Sequence, residues 1–388
     1  MGASMKDLYE PLSFARGPSM KNRFMLAPMT NQQACDRGLL TDDELNWLKM
    51  RAEGDFGHVM TCCAHVNPKG QGFPGELGVY CDELLPGLTR LAEALRSCGA
   101  VSSMQLYHGG IRSIRPDRVG PSNAPEDSGR AMTLAEIEAV INDYVEAAVR
   151  AKKAGFDGVE LHGAHGYLIS EFLSAQYNRR QDAYGGSPQK RRRFLLDIVD
   201  GIRERCGDSF QIGVRISPER FGHDVIEQRD TAQVLCDGGK IDFLDISLWD
   251  VFKEPAETRY QKQKLIEYFT DLDLQGVRIG FAGQICGREQ AQNVLDMGAD
   301  FVVTGRAAIL HHDLPRKLFD DPHFRPAKFP TTTEYLRSEG LGERFIDYLA
   351  SWPNMVVDRD IPDSMPRFDV DEFFSTGRSA KLKQRKRL

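Results

Sequence analysis

Apolar residues gather along this 388-residue chain into eight short runs, near 24–29, 57–65, 100–106, 156–162, 210–215, 241–247, 276–282 and 300–304. Each has the length of a buried strand, and between them the apolar positions spread to helical spacing. In 133–154, Leu134, Ile137, Val140, Ile141, Tyr144, Val145 and Ala148 fall on one stripe. A second clear helix is expected over 189–206, with Ser187 as N-cap and Pro188 in its first turn. Strand-then-helix repetition calls for parallel strands, which must be joined by crossovers. Eight units predict an α/β fold, a closed (β/α)8 barrel over residues 1–320; an open doubly wound sheet shares the rhythm. Beyond 320 the alternation stops. Residues 321–388 are expected to form a C-terminal extension, ending in six basic residues among the eleven of 378–388, read as a solvated disordered tail. Loops 66–84 and 107–132, rich in Gly, Pro and charge, are candidate lids.

Composition narrows the partners. A net charge of −6 and a pI near 5.9 attract neither nucleic acid nor an anionic membrane, which leaves a small molecule. The eight cysteines (35, 62, 63, 81, 98, 206, 236, 286) form no C-x-x-C pair and no clustered run, so they read as free thiols of a reducing compartment. With no basic-then-apolar leader pattern, no 18-residue apolar run and no N-x-[ST] acceptor, a cytoplasmic location is expected.

Chemistry concentrates where the fourth run ends, at Gly158-Val-Glu-Leu-His162-Gly-Ala-His165-Gly-Tyr167. Two imidazoles and a phenol are the parts needed to hold a carbonyl oxygen and deliver a proton. The same residues also read as structural histidines or half of a metal site. In a barrel, the carboxyl ends of the strands converge on one site. Those ends carry Ala27-Pro28-Met29-Thr30, Gln105, His162 and His165, Arg215, Ala282-Gly283 and Gly305-Arg306. Glycine turns after the seventh and eighth strands suit a phosphate, which exposed N–H groups receive. Gly70-Gln-Gly72-Phe-Pro-Gly75 matches G-x-G-x-x-G in form, but Pro74 breaks the helix a dinucleotide loop must open. A flavin-free phosphate-ester lyase or isomerase would use the same phosphate site. Such enzymes commonly place a lysine on a strand end, and none lies there.

Five motifs in order carry a family resemblance: Asn22-Arg-Phe-Met-Leu-Ala-Pro-Met-Thr30, His162-Gly-Ala-His-Gly-Tyr-Leu168, Asn178-Arg-Arg-Gln-Asp-Ala-Tyr-Gly-Gly-Ser187, Gly213-Val-Arg-Ile-Ser-Pro218 and Gly305-Arg306. Over residues 7–320 the chain resembles the old yellow enzyme family of FMN-dependent ene-reductases and NAD(P)H:flavin oxidoreductases. The resemblance implies FMN across the barrel mouth and NAD(P)H as co-substrate, visiting the same flavin face. Pro28, Met29 and Thr30 would run along one flavin edge. Gln105 would meet the pyrimidine end, Arg215 would stand by N1 and O2, and Gly283, Gly305 and Arg306 would take the phosphate. Cys63 or Ala64 would lie near the ring. His162 and His165 would hold the acceptor's carbonyl oxygen, Tyr167 would protonate the α-carbon, and Tyr107 would wall the substrate pocket. The activity implied is hydride transfer to an activated alkene, with quinone or flavin reduction at the same site as the alternative. Pairing into a homodimer is common among such barrels.

Three positions depart from the family pattern. Thr30 stands where some relatives have a redox-tuning cysteine, and Gln32 where several place a pocket tyrosine. Phe281 occupies a position that is often glycine in the phosphate turn, where a bulky side chain adopts positive φ less easily.

Overall fold

The computed structural model describes residues 6–124 and 127–360, so the basic run at 378–388 lies outside the described residues. Among the described residues eleven strands form: β1 (Phe24–Leu26), β2 (His58–His65), β3 (Leu77–Gly78), β4 (Val101–Tyr107), β5 (Arg118–Gly120), β6 (Gly129–Ala131), β7 (Gly158–Gly163), β8 (Gln211–Ile216), β9 (Phe243–Ser247), β10 (Arg278–Ala282) and β11 (Phe301–Thr304). Eight of them run parallel in the order β1-β11-β10-β9-β8-β7-β4-β2, and β1 also pairs with β2, which closes the barrel. The eight expected strands are thus the eight barrel strands. β1 is shorter than its apolar run because the chain leaves the ladder at Ala27-Pro28, and Pro28 has no N–H to offer it.

Twelve helices accompany them: α1 (Asp42–Glu53), α2 (Leu85–Ser97), α3 (Leu134–Ala154), α4 (Leu168–Leu173), α5 (Pro188–Cys206), α6 (Val225–Asp237), α7 (Glu267–Thr270), α8 (Arg288–Asp296), α9 (Arg306–Leu310), α10 (Leu314–Asp320), α11 (Thr333–Ser338) and α12 (Glu343–Ala350). The two helices expected from sequence are α3 and α5. A Thr133/Glu136 capping box opens α3, and Ser187 accepts from the Lys190 N–H at the start of α5.

Strand alternation divides the apolar residues into two cores. The larger lies between barrel and helices. The smaller fills the barrel with Met25, Met60, Val101, Phe243, Phe301 and Val303, and Leu12, Met20 and Phe14 join it. Glycines make room for the two internal phenylalanines: a Cβ on Gly213 would lie 2.1 Å from the Phe243 ring, and one on Gly280 2.1 Å from that of Phe301. Phe243 and Phe301 open β9 and β11, so the bulkiest residues sit toward the amino ends of the strands, and the polar carboxyl ends are left to form the floor of the site.

Both long loops carry structure. The first holds a 3-10 turn, Pro68–Gly70, and β3; the second holds the turn Gly110–Arg112 and the β5–β6 pair. After residue 320 the β/α rhythm stops, but the chain returns to the barrel. Phe345 of α12 packs edge-on against Trp47 of α1, ring centroids 4.9 Å apart. Arg51, fully buried with its guanidinium 3.2 Å above the Trp47 ring, donates to the carbonyls of Trp47, Ala308, Ile309 and Glu339. One side chain thus ties α1 to α9 and to the turn after α11.

Candidate active site

A cavity of about 1400 Å³ opens at the carboxyl ends of the strands. Pro28, Met29, Thr30, Gln32, Cys63, Gln105, His162, His165, Tyr167, Arg215, Gly283, Gly305 and Arg306 all line it. Residues far apart in sequence meet there because each ends a barrel strand or begins the loop that follows.

Cys63 reaches the wall through an irregularity in β2. Met60 pairs with Ser103 but Cys63 with Gln105, so β2 spends one residue more than β4 over that interval. The slip turns Cys63 into the barrel and leaves Ala64 in the outer core, which decides between the two expected positions. Tyr107, expected as a pocket wall, stands behind Tyr167 instead. It is fully buried and absent from the lining, its ring edge-on 4.6 Å from that of Tyr167. Phe281 points into the outer core, away from the cavity, and has no positive φ. The strain expected at Phe281 does not arise; in the turn after β10 Gly283 occupies the close approach, where a Cβ would meet the Asp250 nitrogen at 2.8 Å, and the left-handed φ falls on Gln284 (55°).

His162 and His165 face each other with ring centroids 5.0 Å apart, and the Tyr167 ring lies 5.3 Å from His162. His165 sits in the left-handed region (φ 62°), and this turn brings the second imidazole back over the strand end. Its Nε2 bonds Ser247 Oγ at 2.8 Å. Nδ1 of His162 is buried without a partner among the described residues. Burial, and after it the charge of Arg215, hold both imidazoles well below the ordinary value of 6.5, so they are neutral and carry one N–H each. Burial raises the Tyr167 phenol while Arg112 opposes the rise, which keeps it protonated.

Beneath the cavity, Gln105 Nε2 donates to Glu160 Oε1 at 2.7 Å, and Arg215 pairs with Asp245 at 3.0 Å. At the opposite rim Arg306 is exposed and makes no ion pair or hydrogen bond among the described residues. These groups suit a flavin mononucleotide: an amide for the pyrimidine edge, a fixed cation near N1 and O2, and an uncommitted guanidinium beside glycine turns for the phosphate.

Sequence reading missed part of the wall. Arg112 donates to the His165 carbonyl and lies 4.8 Å over the Tyr167 ring, and Trp249 stands 5.9 Å from His165. From the C-terminal segment, Phe345, Tyr348, Leu349 and Trp352 also reach the cavity, and Tyr348 hydrogen-bonds Thr30. Their spacing of i, i+3, i+4 and i+7 is a helical apolar stripe and was the available signal. His312, Asp313 and Glu339 lie close together elsewhere, but Glu339 is already engaged by His312 and Asp313 by Lys317.

Comparison with known proteins supplies the family. Residues 7–321 match the model of the NADH:flavin oxidoreductase / NADH oxidase family. The Bacillus subtilis protein named "Probable NADH-dependent flavin oxidoreductase" is 34% identical over 336 residues, covering 80% of this chain and 87% of the relative. Among solved structures, the old yellow enzyme homologue from Zymomonas mobilis superposes with a TM-score of 0.74 at 28% identity, over 85% of this chain and 96% of that one. Morphinone reductase in complex with tetrahydroNAD gives 0.71 at 26%, over 91% and 98%. Some relatives are longer: the chain spans 36% of the NADH:fumarate oxidoreductase of Klebsiella pneumoniae, to which it is 32% identical. A closed parallel barrel, a cavity suited to FMN and a family match over most of its length make this chain a member of the NADH:flavin oxidoreductase / NADH oxidase family, of old yellow enzyme type, with FMN as cofactor and NAD(P)H as reductant.

Proposed function

We propose that the enzyme is an ene-reductase that saturates alkenes activated by a carbonyl group. The observation carrying this reading is the His162 ring, whose buried Nδ1 has no partner among the described residues, opposed to His165 and beside Tyr167 on the cavity wall. Bound FMN would supply the hydride chemistry that links NAD(P)H to the acceptor's β-carbon. The residues do the rest. N–H groups of two neutral imidazoles converge on the acceptor's carbonyl oxygen and stabilise the charge that builds there. Ser247, bonded to His165 Nε2, fixes that ring. Tyr167, protonated at neutral pH, gives its hydroxyl proton to the α-carbon, and Arg112 over its ring and on the His165 carbonyl holds both in place. Pro28, Met29, Thr30, Cys63, Gln105 and Arg215 would hold the ring of the cofactor, and Gly283, Gly305 and Arg306 its phosphate.

The test separates the two half-reactions. Tyr167→Phe deletes only the donor. Reduction by NAD(P)H should stay within about threefold of wild type, while reoxidation by an enone should slow by about 10², the scale of general acid catalysis. Unchanged enone reoxidation would favour quinone or flavin reduction at the same site, where protons come from solvent. Equal slowing of both steps would make Tyr167 a positioning group.

A further inference from the structure

Below the residues that line the cavity lies an acid that the reaction outlined above does not use. Glu160, on β7, is fully buried and forms no part of the lining. The register sets it beside Gln105 of β4, the residue that does line the cavity. Its Oε1 accepts from Gln105 Nε2 at 2.7 Å, and its Oε2 has no partner among the described residues. On the other side the register places Gly213 of β8, which has no side chain to compete for the carboxyl.

A glutamine amide has two chemically opposite ends, and a flavin's pyrimidine edge alternates acceptors and an N–H. Which end Gln105 offers upward determines what it recognises. With its nitrogen committed downward to Glu160, the end left for the cavity is the carbonyl oxygen, a partner for an N–H. We propose that Glu160 is a positioning residue for the cofactor: it fixes the Gln105 amide so that an acceptor, and not a donor, meets the N3–H of the FMN ring. The proposal rests on the placement of FMN in this cavity. Burial, and then Asp245, push the Glu160 carboxyl up, and its Oε1 receives the amide N–H. A glutamine at position 160 keeps that oxygen.

The experiment measures FMN dissociation constants and flavin midpoint potentials for Glu160→Leu, Glu160→Gln, Gln105→Leu and the double variant Glu160→Leu/Gln105→Leu, with thermal melts of each apoprotein as the folding control. The expected result is an FMN affinity about tenfold weaker and a displaced potential in Glu160→Leu, and values within about threefold of wild type in Glu160→Gln. In the Gln105→Leu background, Glu160→Leu should add less than twofold, because a group acting through Gln105 has nothing to act on once the amide is gone. Wild-type affinity and potential in a folded Glu160→Leu would overturn the proposal, as would an equal loss with and without Gln105. If Gln105→Leu itself leaves FMN affinity untouched, FMN lies elsewhere and the placement falls together with the proposal; an effect of Gln105→Leu without one of Glu160→Leu leaves the placement standing and removes Glu160 alone.

Discussion

In the proposed reaction His162 and His165 act without titrating. Both are held well below 6.5, first by burial and then by Arg215, so the imidazoles already lack their extra proton at mildly acid pH and do not gain it anywhere in the usual assay range. Enone reoxidation measured from pH 5.5 to 8 should therefore show no step near 6.5. A step there would mean that one imidazole is open to water or acts as an acid. Arg306 gives a second outcome at this scale. Charge-assisted bonds contribute about 1.5–3 kcal/mol, toward the lower end for an exposed side chain, so Arg306→Ala should weaken FMN retention roughly tenfold and leave the fold intact, as equilibrium dialysis and circular dichroism will report. The histidine pair, Tyr167 and Arg215 were legible in sequence because they sit at strand ends, where position along the chain and position in the site coincide. Tyr107 was not. It is two residues past Gln105 and so on the same face of β4, but whether it reaches the cavity depends on Tyr167 standing in front of it, a matter of packing between strands.

Among elements, the strands were read more faithfully than what surrounds them. Their apolar runs are short, but they recur eight times with helical spacing between them, the repeat that a closed parallel barrel requires. The irregularity in β2 left no mark in composition, since Thr61, Cys62, Cys63 and Ala64 fit a regular strand equally well, and only the pairing with β4 shows which of them turns inward. α12 was missed because a lone eight-residue helix after the barrel has no repeat to announce it, although its stripe was present. A glycine facing the barrel interior carries the element-scale prediction. Gly280→Ala would place a methyl 2.1 Å from the Phe301 ring inside a packed interior, and the overpacking should cost roughly 1–3 kcal/mol in urea denaturation. Gly238→Ala, at the exposed end of α6 with φ −66° and only ordinary van der Waals neighbours, is the control and should change stability by less than about 0.5 kcal/mol.

For the whole molecule, net charge and local charge have opposite signs. The chain carries −6, yet with Arg215 paired to Asp245, Lys253 to Glu219 and Arg306 assigned to the FMN phosphate, the cavity lining still holds Arg112, Arg118 and Arg220 against Asp127 and Asp250. Such a mouth draws in a polyanion that the rest of the surface repels. The second-order rate of reduction by NAD(P)H should accordingly fall several-fold between low and high ionic strength, while a neutral enone should reoxidise the enzyme at a rate nearly independent of salt. Equal salt dependence for both would place the attraction elsewhere. Composition alone suggested only an acidic protein, because a sum over the chain cannot say which charges face one another. Closure of the barrel has its own consequence during synthesis. Met25 pairs with Val303, so the first strand made must wait for the last before its second neighbour exists. Contacts so remote in sequence fold slowly, and a ribosome-bound chain still short of β11 exposes an open sheet edge to other nascent chains. Slow translation or crowding at high expression should thus be met by aggregation of incomplete chains, and the finished enzyme should be far less prone to it than its own precursors.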